Sequence, residues 1–378
     1  MRKFSERYIL DVIKGRRKGM IAATVRSLLR FLSWGYHLGA WLNDWSFDNG
    51  WRRKYFPPVP TVISIGNIVA GGTGKTPVTL KLAKEFYQHI PLAILSRGYR
   101  SPAEKLASPL ALCVGRGPVY PSSYAGDEPY LLAESLPEAF VYVGRDRKKA
   151  SILAVKSGAE LVILDDGMQS RNVARDVEIV VINGTDPLGQ GHFLPRGLLR
   201  VSPKNLKRAD LVIINHASDR ADYLTAKHQI SPYTSAPIVA MEPEISTISD
   251  LSGSKVYSLI GKKIGIFCGI ANPELFKKLL ESHGAIVASE LYLPDHVSPK
   301  SQQLRKLAEQ SQAAGAEYIV CTEKDKVKIV EDIDLPLPIL WTQMQLKITD
   351  GEEHWQELID SIHRQASKKP AHPEGVTS

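Results

Sequence analysis

The chain has 378 residues, 43% of them hydrophobic and 23% charged, proportions that belong to a globular protein long enough for two domains with separate cores. Its three cysteines, Cys113, Cys268 and Cys321, lie far apart in or beside apolar runs, which indicates buried free thiols in a reducing compartment and gives neither a disulfide framework nor zinc-ligand spacing. The net charge of +8 is concentrated in residues 1–54, where twelve Lys/Arg stand against four acids, while the rest of the chain carries 36 residues of each sign.

That basic segment also holds Trp34, Trp41, Trp45 and Trp51, four of the six tryptophans. Ile21, Val25, Leu28, Leu32 and Tyr36 recur at helical spacing, and Arg26, Arg30, Ser33 and His37 mark a narrower polar stripe. With His37 neutral, the longest uncharged stretch, 31–43, has 13 residues. A spanning helix needs about 20. Basic residues beside an aromatic-rich amphipathic helix suit an anionic membrane surface. A helix packed against the domain and a nucleic-acid patch are the competing readings. A secretory signal is disfavoured because a basic, polar stretch of 19 residues precedes any apolar run.

The proline-rich hinge Tyr55-Phe-Pro-Pro-Val-Pro60 leads into apolar runs at 61–65, 92–95, 140–143, 161–164, 179–182 and 211–214, alternating with helical patterns. This order predicts an α/β fold with a mostly parallel sheet covered by helices, and ligands at the carboxyl ends of the strands. Residues 236–262 read as an extended connector. A smaller second α/β domain follows over 263–365, with strand-like runs Lys263-Ile-Gly-Ile-Phe-Cys268 and Tyr318-Ile-Val-Cys321. The boundaries expected from this pass are a basic segment 1–54, a first domain 55–235, the connector, the second domain, and a disordered tail 366–378 containing Lys368, Lys369, Pro370, Pro373 and Gly375.

The run Thr61-Val-Ile-Ser-Ile65 opens into Gly66-Asn-Ile-Val-Ala-Gly71-Gly72-Thr73-Gly74-Lys75-Thr76 and a helical stretch from Pro77. A strand, a glycine-rich turn and a helix N-terminus aim backbone N–H groups and a positive dipole end at an anion. This is the P-loop arrangement of a nucleotide-binding three-layer domain, with Val69, Ala70, Gly71, Gly72, Thr73 and Gly74 cradling ATP phosphates, Lys75 neutralising the β- and γ-phosphates, and Thr76 offering its hydroxyl to Mg²⁺. The standard pattern wants glycine where this chain has Val69, so Gly71 and Gly72 are expected to supply the left-handed or close-approach backbone instead.

Leu161-Val-Ile-Leu-Asp165-Asp166-Gly167 ends an apolar run in two carboxylates, the expected support for Mg²⁺ in phosphoryl transfer, or else an Asp-Gly turn. Gly126-Asp127-Glu128-Pro129 reads first as a helix N-cap, and second as a loop carboxylate able to take a hydroxyl proton. Pro294-Asp295-His296 places a histidine beside an acid. Arg97, Arg100, Arg145, Arg147, Arg196 and Arg200 near strand ends suit phosphate recognition. Thr322-Glu323-Lys324-Asp325 reads as a solvated charge run, and its failure to match an N-K-x-D guanine reader favours ATP.

In order along the chain, Ser64-Ile-Gly-Asn-Ile-Val-Ala-Gly-Gly-Thr-Gly-Lys-Thr-Pro77, Ser96-Arg-Gly-Tyr99, Gly126-Asp-Glu-Pro129, Asp165-Asp-Gly-Met-Gln169, Leu194-Pro-Arg-Gly-Leu-Leu-Arg200, Pro294-Asp-His296 and Thr322-Glu-Lys-Asp325 resemble the tetraacyldisaccharide 4′-kinase family over about residues 20–330. The resemblance implies two α/β domains with ATP between them, Mg²⁺ held near Thr76, Asp165 and Asp166, Asp127 as catalytic base assisted by His296, and Arg97, Tyr99, Arg145, Gln169 and Arg200 on the substrate side. It implies transfer of the γ-phosphoryl group to the 4′-hydroxyl of a tetraacylated glucosamine disaccharide 1-phosphate in lipid A biosynthesis. It also implies an N-terminal helix on the cytoplasmic face of the inner membrane of a Gram-negative-type bacterium. Neither a nucleic acid nor an obligate protein partner is expected. The chain departs from the family pattern at Val201, where an acid is usual, and at Ser170, where histidine is common. Two other classes share parts of the pattern. A partitioning or switch ATPase usually places a lysine directly before the Gly-Gly-x-Gly-Lys-Thr core, where this chain has Ala70, and a small-molecule kinase would use the N-terminal helix as core.

Overall fold

The structure, a computed structural model, describes residues 8, 11–13, 15–217, 219–253, 255–256, 258–270, 272–294, 297–329 and 334–367. The Asp295-His296 pair and the tail from 368 onward, expected to be disordered, lie outside the described residues. The strands are β1 Thr61–Gly66, β2 Leu92–Ser96, β3 Leu110–Val114, β4 Phe140–Val143, β5 Leu161–Asp165, β6 Val177–Asn183, β7 Leu211–Asn215, β8 Ile238–Asp250, β9 Lys255–Val256, β10 Lys263–Cys268, β11 Ile286–Tyr292, β12 Tyr318–Thr322 and β13 Ile339–Asp350. All residues of β1, β2, β5 and β7 are buried, the reason these segments read as unbroken apolar runs: a parallel strand covered on both faces has no polar side.

The chain divides into two compact units. The first comprises residues up to 96, 146–242 and those from 348 on. Its strands run in the order β8-β7-β6-β1-β5-β2 and all pair in parallel. The register sets Ile65 beside Asp165 and Asn183 beside Asn215, so the residues that follow these strands emerge at one end of the sheet. The second unit comprises 97–145 and 243–347. It holds the parallel run β11-β10-β12-β13 and the antiparallel pair β3-β4.

This division cuts across the contiguous domains expected from the sequence. The chain leaves the first unit after β2 and returns at Asp146, whose carboxylate caps the helix Arg147–Lys156 by accepting from the Lys149 amide. Residues 97–145, expected in the first domain, therefore belong to the second. The expected connector is itself structured: β8 has 13 residues, of which Ile238 to Met241 pair with β7 while Ile248 and Ser249 pair with β9. Its internal Pro243 and polar alternation hid the strand from a search for apolar runs.

The helix Met20–Asp48 has 29 residues and packs on the first unit through an unusual face. Ala22, Leu29, Ser33 and Phe47 are buried, and Ser33 Oγ donates to the Phe193 carbonyl at 2.9 Å. His37 stacks on the Phe193 ring with centroids 4.2 Å apart. Arg171 donates to the Asp44 carbonyl at 2.9 Å and pairs with Asp48, and Asn205 donates to Asp44 at 2.7 Å. Ser33 and His37 of the polar stripe thus face the protein. Phe31, Trp34 and Trp41 face outward, 68%, 64% and 52% exposed. No helix among the described residues is long and apolar enough to cross a membrane.

Candidate active site

In the first unit, β1 delivers a loop whose backbone is tied down on several sides. The Ala70 amide donates to the Leu198 carbonyl at 2.6 Å and the Arg200 amide to Ile68 at 2.8 Å, which fastens the loop to residues 198–200. Asn67 Nδ2 donates to Thr73 Oγ1 at 3.1 Å, and Asn215, at the end of β7, donates to the Thr73 carbonyl at 3.4 Å. Gly71 and Gly74 take positive φ, 115° and 82°. Gly71 thus takes the left-handed backbone expected at this loop, and Gly74 takes it as well. A side chain on Gly74 would also collide with the Asn215 amide and approach His216. Val69 is buried in the core and is held by the loop's fastening to Leu199.

The helix Lys75–Lys84 starts at this turn, which places Lys75 and Thr76 in its first turn. Lys75 Nζ lies 3.5 Å from Asp166 Oδ1, and Arg200 Nη1 lies 3.1 Å from Asp166 Oδ2. Asp166 itself has φ 54°, a left-handed conformation that aspartate tolerates better than most residues. Burial by itself pushes the Asp166 carboxyl up, but Lys75 and Arg200 outweigh it and hold it below the usual carboxylate range. Asp165 is more enclosed: its carboxylate accepts from Ser96 Oγ at 3.0 Å and Thr79 Oγ1 at 3.3 Å, and its carbonyl accepts from Arg147 at 2.6 Å. Two adjacent acids thus differ in surroundings, one facing cations and the other held by hydroxyls. Gln169 Nε2 donates to the Asn67 carbonyl at 2.9 Å. The structure therefore groups Gln169 and Arg200, expected on the substrate side, with the glycine-rich loop.

In the second unit, Arg97 and Arg145 converge on one carboxylate. Their Nε atoms lie 2.8 and 3.1 Å from Glu104 Oε1, while Glu104 Oε2 accepts from the Arg100 amide at 2.9 Å. Glu104 is buried, whereas the arginine side chains are 44% and 63% exposed, a solvent-accessible pair of guanidinium groups suited to a phosphate. Tyr99 is exposed, with the Arg100 guanidinium 5.2 Å from its ring centre. The turn carrying these residues abuts the Asp127 segment: a Cβ added to Gly126 would stand 3.5 Å from Gly98 Cα. Asp127 is the first residue of the helix Asp127–Ser135, with Gly126 at the cap position, so the N-cap reading is replaced. Its carboxylate instead meets Lys328, 3.4 Å away. Thr322, Glu323 and Asp325 are buried, not a solvated run, because their short helix packs inward against the Asp127 helix.

The family model described as tetraacyldisaccharide-1-P 4′-kinase, LpxK, matches residues 25–364. The chain belongs to this family. Among its relatives, the tetraacyldisaccharide 4′-kinase of Chlamydia abortus is 37% identical over 351 residues, covering 89% of this chain and 93% of that protein. The Halothermothrix orenii enzyme of the same name is 34% identical, covering 88% and 90%. The crystal structure of LpxK from Aquifex aeolicus in complex with ATP is similar at a TM-score of 0.70 and 26% identity, covering 90% of this chain and 99% of that one. The fold is accordingly that of the LpxK family, with a mostly parallel sheet in an α/β architecture. Four residues that shape these clusters went unnoticed in the sequence: Glu104, Arg171, Asn215 and Lys328. Each is an ordinary polar residue until the fold gives it a buried partner, and Asn215 alone, directly after an apolar run, carried a positional signal.

Proposed function

We propose that the chain transfers the γ-phosphoryl group of ATP to the 4′-hydroxyl of a tetraacylated glucosamine disaccharide 1-phosphate, giving the lipid A precursor that carries phosphate at both ends. The observation that carries the reading is the Lys75–Asp166–Arg200 cluster at the glycine-rich loop, in a chain of this family. Lys75 and the N-terminus of its helix neutralise the β- and γ-phosphates, with Arg200 and the backbone from Val69 to Gly74 completing the cradle. Thr76, Asp165 and Asp166 would hold Mg²⁺ through oxygen donors alone, the chemistry that this ion takes from one or two carboxylates together with water and phosphate. When bound, Mg²⁺ supplies charge neutralisation on the transferring group.

Asp127 takes the proton from the 4′-hydroxyl while the new O–P bond forms. The bond from the γ-phosphorus to the bridging oxygen breaks, and ADP leaves. His296 assists Asp127 in this reading. Arg97 and Arg145, held together by Glu104, recognise the 1-phosphate, with Tyr99 and Gln169 as further substrate contacts. The exposed apolar face of the helix Met20–Asp48, beside Arg16, Arg17, Lys18, Arg26 and Arg30, rests on the anionic inner-membrane surface, where the acylated acceptor resides.

The test is transfer of labelled γ-phosphate from ATP and Mg²⁺ to the tetraacyl disaccharide 1-phosphate in detergent micelles. Wild type should label the lipid, and D127A should lose at least about 10²-fold in rate. ATP hydrolysis without lipid labelling, undiminished in D127A, would reject the reading in favour of a switch ATPase.

A further inference from the structure

Lys328 belongs to none of the motifs that mark this family in the sequence, yet in the second unit its side chain is only 2% exposed. Its ammonium group lies 3.1 Å from Asp325 Oδ1 and 3.4 Å from Asp127 Oδ2. Asp325 is completely buried and fixed: Oδ2 accepts from Thr322 Oγ1 at 2.6 Å, and Oδ1 accepts from the Gly269 amide at 3.0 Å. One interior cation is therefore shared by two carboxylates, of which Asp325 is locked in place by its own loop.

The arrangement has a direct electrostatic consequence for Asp127. A neighbouring cation favours the ionised carboxylate, a neighbouring anion disfavours it, and both effects are large where water is excluded. With Lys328 present, the charge of Asp325 is offset, which favours a carboxylate at Asp127. Without Lys328, the charge of the buried Asp325 would act on Asp127 without that offset. Other charged neighbours among the described residues are more exposed. Glu128 of the same helix lies 3.8 Å from Lys324, and Glu134 lies 3.5 Å from Lys326, with water reaching each pair. The elements packed on the helix add Glu323 of the helix Glu323–Lys326, Tyr124 of the helix Ser122–Ala125, Cys113 of β3 and Tyr142 of β4.

We infer that Lys328, anchored by Asp325, is a positioning residue that keeps the Asp127 carboxylate ionised and oriented for proton abstraction, an inference that rests on the reading of Asp127 as the base. It acts through Asp127 and touches no substrate. Its substitution therefore changes the pH at which the base is competent rather than the affinity for ATP.

The experiment is the pH profile of kcat/KM for lipid phosphorylation by the full chain, comparing wild type, K328M, D325N and D127A, with folding checked by circular dichroism. K328M should move the acidic limb upward by about one pH unit or more, because Asp127 loses its cation. D325N should move the limb downward, because Lys328 then serves Asp127 alone. The KM for ATP should stay within twofold in both. Asp127 and His296 titrate as a coupled pair if both serve, so the shifts are read against the wild-type limb rather than as single-residue values. Limbs that coincide with wild type in folded K328M and D325N, while D127A is inactive, would overturn the inference and leave the base reading standing. Wild-type turnover in D127A would instead remove the base reading itself. Should K328M fail to fold, D325N decides: a downward limb supports the role, and an unmoved limb rejects it.

Discussion

Glu104 shows how one buried acid can organise two surface cations. A lone arginine that is 44% or 63% exposed samples many rotamers, but bonding both Nε atoms to the same fixed oxygen orients both forks. Desolvation pushes the Glu104 carboxyl up, yet the Arg100 amide and the two guanidinium groups together hold it below its ordinary range. Replacing it in E104Q keeps the shape and removes the charge. We expect the KM for the lipid acceptor to rise about tenfold, equivalent to about 1.4 kcal/mol, with kcat and the KM for ATP little changed. Steady-state kinetics with each substrate varied in turn would show this, and an unaltered lipid KM would exclude the clamp. His216 gives a second residue-level expectation. Burial pushes its imidazole down to about 4 from 6.5, so the native state resists a proton that the unfolded chain accepts. Its contribution is fully present above pH 6.5 and is lost as pH falls toward 4, by about 3 kcal/mol at most. Unfolding midpoints measured from pH 7 to 4 should fall in wild type and fall less in H216N. Parallel curves for the two proteins would contradict the assignment.

At the scale of elements, the helix Met20–Asp48 inverts the usual amphipathic logic. Beside the buried Ala22, Leu29 and Phe47, its polar residues Ser33, His37, Asp44 and Asp48 make protein contacts, and Phe31, Trp34 and Trp41 are left outside. Outward aromatic side chains contribute little to folding, so exchanging them should separate membrane binding from stability. Replacing Phe31, Trp34 and Trp41 by serine should release the protein from anionic phospholipid vesicles in a sedimentation assay while leaving the thermal midpoint within about 2 °C. A large drop in the midpoint would show that the face is core. Periodicity in the sequence could not settle this. It revealed a two-faced helix, but Trp and Leu stripes look alike whether they meet a domain or a lipid surface, and only the position of Phe193 and Arg171 shows which face docks.

For the whole molecule, the glycine-rich loop belongs to one unit and Asp127 to the other, with residues 97–145 leaving the first unit between β2 and the helix Arg147–Lys156. The proposed reaction calls on both sets of residues and on the divalent ion proposed at Thr76, Asp165 and Asp166. Chelation with EDTA should abolish lipid phosphorylation, and added Mg²⁺ should restore it, whereas D166N should leave a weak activity that needs higher Mg²⁺ for half-saturation. An unchanged Mg²⁺ dependence in D166N would exclude Asp166 as a ligand.

The sequence by itself determined the parallel α/β core, because strands buried on both faces must be continuous apolar runs, and it marked the glycine-rich loop that opens the helix Lys75–Lys84, because glycine spacing and the Lys75-Thr76 pair are local in the chain. It also assembled the family's motifs in order. What it left open was decided by partners distant in sequence. Glu104 acquires meaning from Arg145, Asp166 from Lys75 and Arg200, and Asp127 from Lys328, some two hundred residues away. The strand β8 and the membership of residues 97–145 were hidden for the same reason. Local propensity fixes which segments form strands and helices, but a charge becomes buried, shared or exposed only when the fold brings another surface against it.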